Sequence, residues 1–442
     1  MKKNKLINEF IRYVSLNVLG MIGLSCYILA DTFFVSKGLG SDGLAALNLA
    51  IPIFSFVNGS GLMLGMGGAT KFTVLKAQGK NIKCNTVFTN TIYLAAVFSV
   101  IFIMTGFMFS QKITAILGAD ENIFQMTNTY LKVILLFSPA FIMNNIVNCY
   151  VRNDGNPKLA MLGMLFGSFS NIIFDYIFIF PLNMGIFGAV LATGFSPVLG
   201  LCILSTHFIK KQNSFTFKPT ALNAALMGEN LSLGVPSLIT EVSSGVVIII
   251  FNALILKYKG NVGVAAYGVV ANISIVVISV FTGIAQGLQP VASKAFGEQD
   301  FTKTRKSLKY AVVTVIIFSC IIYMIIFTLS SQITEIFNSE RNCELQKIAE
   351  LGLKLYFIGT PFAGINIIFA VYFSSTEKPV PAQIISVCRG FAVIIPTAFV
   401  MAYLFEVSGI WLAFPTAEVL VVIVALLCFV RVKFTNCESA SL

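Results

Sequence analysis

The chain repeats itself when its sequence is shifted by about 220 residues. The segment AALNLAIPI at 45–53 aligns with AAYGVVANI at 265–273, and LKVILLFSPAFIMNN at 131–145 aligns with LKLYFIGTPFAGINI at 353–367. Because the register holds across most of each half, the chain is a duplicated unit. In membrane proteins such a duplication is typical of carriers that rock two lobes about a central site.

Composition indicates a membrane protein, because 57% of the residues are hydrophobic and only 11% are charged. Soluble domains carry about 25% charged residues. Twelve apolar runs of about 20 residues are each long enough to cross a hydrocarbon core of ~30 Å. The runs lie near residues 15–36, 44–68, 86–109, 128–151, 159–181, 186–209, 231–255, 264–288, 310–330, 348–373, 384–404 and 410–430. The sequence therefore predicts an all-α integral membrane protein, with twelve transmembrane helices in two parallel six-helix lobes related by pseudo-two-fold symmetry.

The predicted lobes are joined by a single polar stretch, KKQNSFTFKPTALN at 210–223. We assign residues 1–212 to an N-lobe and residues 213–442 to the linker and a C-lobe. The first residues, MKKNKLINEF, lack a small-residue cleavage site before the first span, so no cleaved signal peptide is expected.

The distribution of Lys and Arg predicts the orientation. With both termini inside, 22 of the 30 basic residues fall in inner segments, Arg152 among them. The bias recurs in both halves, as parallel repeats require, and follows the positive-inside rule. The net charge of +11 thus reflects topology and does not indicate a surface that binds nucleic acid. We predict a multi-pass protein of the bacterial cytoplasmic membrane, with cytoplasmic N- and C-termini.

Cysteine and histidine point to no metal centre or redox chemistry. Nine cysteines are scattered without a CxxC pair, as expected for small packing residues. The single histidine, His207, lies at the inner end of the sixth span, where an interfacial role outweighs a proton-relay role. No Walker motif is present, so ATP is not the expected energy source. We expect no cofactor.

Charged residues inside the spans carry the functional information. Four acids lie well within spans, Asp31, Asp175, Glu241 and Glu418, and Arg389 lies near the inner end of the eleventh span. An acid at a helix centre costs roughly 2.5–3.5 kcal/mol on insertion, so such residues usually face a cavity. The alternative, a buried ion pair or polar interhelical contact, weighs more for Glu241 and Glu418 than for the other two acids.

Depth connects the first two acids with three other polar residues. Asp31 and Asp175 both lie ~8–9 Å below the outer rim of the predicted membrane. Asn171 precedes Asp175 by one helical turn, and Tyr130 and Thr193 fall at a similar depth in the fourth and sixth spans. Five polar side chains from four helices of one half therefore share a depth.

Several segments resemble the multidrug and toxic compound extrusion (MATE) family. They are ADTFFVS at 30–36, KAQGK at 76–80, SNIIFDYIFIF at 170–180 and GIFGAVLAT at 185–193. The resemblance covers about residues 10–430 and is greatest to the bacterial branch that contains the DinF-like and staphylococcal multidrug members. It implies a monomeric transporter.

In that branch an acid of the first span and an Asn-x-x-x-Asp of the fifth line a cation site in the N-lobe. A Tyr of the fourth span and a Thr of the sixth complete it. These positions match Asp31, Asn171, Asp175, Tyr130 and Thr193, the five residues that depth selects. The resemblance thus implies proton coupling here, or Na⁺ binding at Asp31, Asn171 and Asp175.

A second branch of the family carries a functional Glu in the seventh span, about eight residues after a proline. In this chain Glu241 follows Pro236 after five residues, and Ser244 occupies the expected position. Glu241 and Ser244 are therefore candidate contacts for substrate or cation.

Together these features predict a secondary active antiporter, not an enzyme. It would export organic, cationic and amphipathic small molecules in exchange for H⁺ or Na⁺, within a shell of membrane lipids. A cavity wall rich in Phe and Met suits varied substrates, and the chain has 41 Phe and 14 Met.

Two other functions stay open at this stage. The first is a lipid-linked precursor flippase or another duplicated carrier. A flippase that handles pyrophosphates favours several Arg within the spans, and in this chain only Arg389 lies near one. The major facilitator type usually has a DRxGRR-like loop after the second span, where this chain reads TKFTVLKAQGK. The second is a membrane-embedded transferase, which would need an acid-rich motif such as DDxxD, and the sequence contains none.

Overall fold

The computed structural model describes residues 2–338 and 341–438, and nearly all of them are helical. The α-helices are Lys2–Ala77, Asn81–Ile116, Glu121–Leu136, Ser138–Asn153, Pro157–Ile179, Gly185–Ile209, Ala224–Gly297, Phe301–Thr328, Ser330–Phe337, Cys343–Tyr356, Thr360–Ser375, Pro379–Val387 and Ile394–Glu438. A 3₁₀ turn, Phe357–Gly359, and a π turn, Cys388–Ala392, join neighbouring helices. No strand is present in the ranges described.

The helices form twelve spans. Eight stretches of helix and one bent pair are apolar and long enough to cross a membrane, and the two helices of the pair meet at 48°. Three of the eight stretches are broken by a residue with positive φ, at Gly40, Gly260 and Glu406. Each broken stretch supplies two spans, so the described part of the chain has the twelve that the sequence predicts. The all-α, two-lobe architecture is confirmed.

The duplication is also visible in the backbone. Gly40 (φ 68°, ψ −156°) and Gly260 (φ 60°, ψ −155°) have the same conformation and lie 220 residues apart. Other residues with positive φ pair at offsets of 220 to 223: Gly79 with Gln299, Gly118 with Arg341, Gly155 with Glu377, and Asn183 with Glu406. Positive φ is uncommon outside glycine, so this shared register shows that the two halves turn at equivalent points.

The lobes pack closely in the half of the molecule nearest the termini. A Cβ at Gly234 would lie 1.9 Å from the carbonyl oxygen of Met63, and a Cβ at Gly287 would lie 2.6 Å from Cα of Val14. Only glycine permits backbones to approach this closely. Lys71 of the second span adds ion pairs across the lobes, to Glu229 (2.8 Å) and Glu377 (2.9 Å). These contacts form a seal between the lobes.

Arg152 belongs to this seal, although the sequence placed it among the basic residues of the inner segments. Its side chain is 1% exposed, and Nη1 donates to Oδ1 of Asn17 (3.0 Å) and to Oε1 of Gln286 (2.5 Å). Gln286 belongs to the opposite lobe. The position of Arg152 at a helix end does not reveal from the sequence that the other lobe covers it.

The linker lies against the N-lobe. Phe215 is fully buried and contacts the rings of Phe72, Phe88 and Tyr150. The linker's backbone N–H groups bond to N-lobe side chains, as follows: Ser214 to Asp154 (2.8 Å), Thr216 to Asn85 (2.8 Å), Lys218 to Thr89 (3.1 Å) and Asn223 to Asn90 (3.0 Å). Polar side chains of the N-lobe thus satisfy the backbone N–H groups of the docked linker.

Asp154, just beyond the fourth span, holds one end of the linker. Its carboxylate accepts hydrogen bonds from Lys76 and from both the N–H and the hydroxyl of Ser214, and Nε2 of His207 lies 2.9 Å from it. Burial alone raises the pKa of Asp154, but these hydrogen bonds outweigh burial and hold the pKa below its usual value of 3.8. His207, 1% exposed, thus has a structural partner at this position.

Replacing Asp154 by Asn should loosen the linker. Hydrogen bonds to a charged group contribute about 1.5–3 kcal/mol each, so tryptic cleavage after Lys210, Lys211 and Lys218 should accelerate about tenfold or more in detergent. Because the folded pKa is lowered, protection by the native carboxylate should be constant over about pH 5 to 8 and be lost only as pH falls through the folded pKa. Asp42→Asn, at an exposed residue, is the matched control. Equal cleavage rates in both variants would contradict the assignment.

Candidate functional site: a buried carboxyl pair beside a central cavity

A cavity of about 390 Å³ lies between the lobes, on the far side of the seal from the termini. Its volume is in the range that holds small organic ligands. Polar residues from both lobes line it among apolar ones: Asp31, Tyr130 and Thr193 from the N-lobe, and Glu241, Ser244, Arg389 and Glu418 from the C-lobe. The site thus combines acidic groups and one base in a mainly apolar wall.

Asp31 and Asp175 are in contact. Their carboxyl groups lie within hydrogen-bonding reach of each other. Asp31 is 8% exposed and lines the cavity, whereas Asp175 is fully buried behind it. An ionised carboxylate can only accept a hydrogen bond, so the contact requires a shared proton or a bound cation. The Oδ1 atom of each residue has no partner among the described residues and could bind that cation.

Three neighbours complete the group. With its amide assigned from its partners, Asn171 donates to Oδ2 of Asp175 (3.0 Å) and accepts from the N–H of Thr193 (3.2 Å). Tyr130 and Thr193 line the same cavity as Asp31, and the Thr193 hydroxyl donates to the backbone carbonyl of Ala189 (3.1 Å). The structure therefore brings together all five residues that the sequence selected. Their role in coupling stays a prediction.

The oxygen atoms at this site could hold either a proton or Na⁺. The free Oδ1 atoms of Asp31 and Asp175 and the Tyr130 hydroxyl are hard oxygen ligands of the kind that alkali and alkaline-earth cations use. The carbonyl oxygen of Asn171 accepts from the N–H of Thr193, and its second lone pair stays available. Na⁺ could therefore use Asn171 together with the two carboxyl groups, whereas a proton needs the two carboxyl groups alone.

Glu241 faces the N-lobe across the cavity. Its Oε2 accepts from Nδ2 of Asn58 (3.4 Å), and Asn58 in turn accepts from Asn145 (2.8 Å). The Ser244 hydroxyl lines the cavity but donates to the backbone carbonyl of Glu241 (2.7 Å). Among the described residues, the Glu241 carboxylate therefore has one weak hydrogen-bond partner, and it lines the cavity where a ligand can approach it. Asn58 was missed from the sequence because an Asn in an apolar span does not reveal its partner.

Glu418 has a different environment. Nε of Arg389 lies 2.8 Å from its Oε1, and Nδ2 of Asn366 donates to its Oε2 over 2.7 Å. Of the two alternatives raised by the sequence, the buried ion pair describes Glu418. Arg389 stands in the π turn Cys388–Ala392, a local distortion of the kind often found at functional sites. The pairing of residues on separate spans was beyond sequence reasoning.

Duplicated six-helix lobes that enclose a cavity with acids at membrane depth define a helical membrane transporter. The MatE family model matches residues 18–177 and 236–400, which is most of the chain. The chain belongs to this family. That membership separates it from the major facilitator type considered above.

Relatives and solved structures agree with this assignment. The chain is 27% identical over 403 residues to the "Multidrug export protein MepA" of Staphylococcus saprophyticus, covering 91% of this chain and 88% of that one. The protein of the same name from Staphylococcus aureus is 26% identical over 407 residues, with the same coverage. A structure titled "Outward-facing conformation of a multidrug resistance MATE family transporter of the MOP superfamily" superposes with a TM-score of 0.91, at 21% identity, covering 98% of this chain and 96% of that one. That likeness shows the fold.

Proposed function

We propose that this protein is a secondary active antiporter, which exports organic, cationic and amphipathic compounds in exchange for H⁺ or Na⁺. The observation that carries the proposal is the contact between Asp31 and Asp175, directly behind a cavity that an acid from the other lobe also lines. The names of the staphylococcal relatives support the choice of drug-like substrates.

The geometry suggests how exchange occurs. A cationic substrate in the cavity is attracted by ionised Asp31 and Glu241. A proton or Na⁺ that enters from the side of the membrane opposite the termini binds the Asp31–Asp175 pair. This binding removes the attraction between Asp31 and the substrate, so the substrate leaves. At ~100 mV each net positive charge that moves inward supplies ~2.3 kcal/mol, so the membrane potential drives export only if more positive charge enters than leaves, and a one-for-one exchange is driven by the ion gradient alone. Reloading from the cytoplasm requires the seal of Lys71 and Arg152 to open.

Orientation and assembly complete the proposal. The excess of Lys and Arg on the side of the termini supports cytoplasmic termini in a bacterial cytoplasmic membrane. The cavity then faces the cell exterior. The substrates would be small molecules, the surroundings lipid, and the working unit a monomer, since each chain contains both lobes of the cavity.

Purified protein in vesicles should move ethidium when a pH gradient or a Na⁺ gradient is imposed separately. We expect transport under one gradient, abolished by an ionophore for that ion. A parallel assay with a fluorescent lipid-linked precursor tests the flippase alternative. Ethidium transport that ignores both gradients would overturn antiport, and movement of the lipid alone would favour the flippase.

Asp31→Asn and Asp175→Asn should each reduce gradient-driven export to background. Asn has almost the shape of Asp but cannot exchange a proton, so the site loses its ion while the cavity is preserved. Equilibrium binding of ethidium to purified Asp175→Asn should remain within about threefold of wild type, because Asp175 lies outside the cavity wall. Asp42→Asn serves as the control. Wild-type export by either folded variant would contradict the coupling role.

Glu241→Gln should impair export of cations more than export of neutral compounds. Its carboxylate lines the cavity with one weak hydrogen bond, so it is available to attract positive charge. A charged hydrogen bond is worth about 1.5–3 kcal/mol, which corresponds to at least tenfold in relative transport of a cation against a neutral analogue. Equal losses for both compounds, together with lowered expression, would indicate a structural role for Glu241.

A further inference from the structure

We propose that Arg389 forms an anion subsite in the central cavity, which binds the carboxylate of zwitterionic substrates. The inference rests on the proposed export function and specifies a substrate class beyond simple cations. It starts from one arginine, whose pairing with Glu418 uses one of its five N–H donors.

Arg389 and Glu418 are paired through one side of the guanidinium only. Nε of Arg389 reaches Oε1 of Glu418 at 2.8 Å, while Oε2 is turned towards Nδ2 of Asn366 at 2.7 Å. A two-pronged arginine–carboxylate contact would use both oxygens. Because Asn366 occupies the second oxygen, Nη1 and Nη2 of Arg389 have no hydrogen-bond partner among the described residues.

The unused donors belong to the residue of the pair that is more open to the cavity. The side chain of Arg389 is 17% exposed, whereas that of Glu418 is 4% exposed. The positive end of the ion pair is therefore presented to the ligand, and the negative end is shielded. Two parallel N–H groups match the spacing of a carboxylate, which lysine cannot reproduce.

Arg389 also lies in the same cavity as Glu241. Both residues line the central cavity and a smaller one that adjoins it. The eleventh and seventh spans approach closely here, since a Cβ at Gly390 would lie 2.6 Å from Cβ of Ser243. A ligand can thus meet an acid and a base on one wall. Molecules that carry both an ammonium and a carboxylate match this pattern.

The test compares a xanthylium dye that carries a free carboxylate with its methyl ester, which is purely cationic. Both dyes are loaded into vesicles that contain wild-type protein or the variant Arg389→Gln/Glu418→Gln, which removes both charges and leaves neither residue buried alone. Arg305→Gln, at an exposed arginine of the C-lobe, is the matched control.

Wild type and Arg305→Gln should export both dyes. The double variant should lose about tenfold or more of its export of the carboxylate dye, relative to the ester. The subsite would be overturned if the double variant exported the two dyes in the wild-type ratio, whether or not total export fell. It would also be overturned if the wild type exported the ester but not the carboxylate dye. If wild type exports neither dye, the proposed function itself fails.

Discussion

The contact between Asp31 and Asp175 is the constraint on which the rest of the account depends. Two carboxyl groups that touch in a buried site require a proton or a cation between them. The structure places this requirement at the cavity wall, because Asp31 lines the cavity and Asp175 lies behind it. Any ligand that competes for the charge of Asp31 therefore acts on the occupancy of the pair. In the proposed mechanism, exchange of ion for substrate follows from this electrostatic competition.

The two lobes share a backbone but differ in chemistry. Breaks at Gly40 and Gly260 show the common geometry. In the N-lobe the buried acids contact each other, whereas in the C-lobe Glu418 is neutralised by Arg389. The N-lobe thus holds the proposed ion site, and the C-lobe holds an ion pair whose positive residue is the more exposed of the two. A duplicated scaffold has in this way acquired two distinct walls around one cavity.

The sequence predicts the fold well because its strongest signals are local or periodic. Apolar length defines the spans, and the internal register defines the duplication. Asp31 and Asp175 could be associated by depth along helices, since each helix end fixes a depth. The contact of Glu418 with Arg389, and that of Glu241 with Asn58, depend on how helices rotate and pack, which no spacing reveals. Burial of Arg152 between the lobes was missed for the same reason.

Infrared difference spectroscopy of the purified protein tests the central claim most directly. Addition of a cationic substrate, or of Na⁺, should remove the absorption of a protonated carboxyl group. The same addition to the Asp175→Asn variant should not change the carboxyl absorption, since this variant lacks the shared proton. A wild-type spectrum without any carboxyl change, in a sample that binds the substrate, would contradict the claim that the Asp31–Asp175 pair exchanges its ion with the ligand.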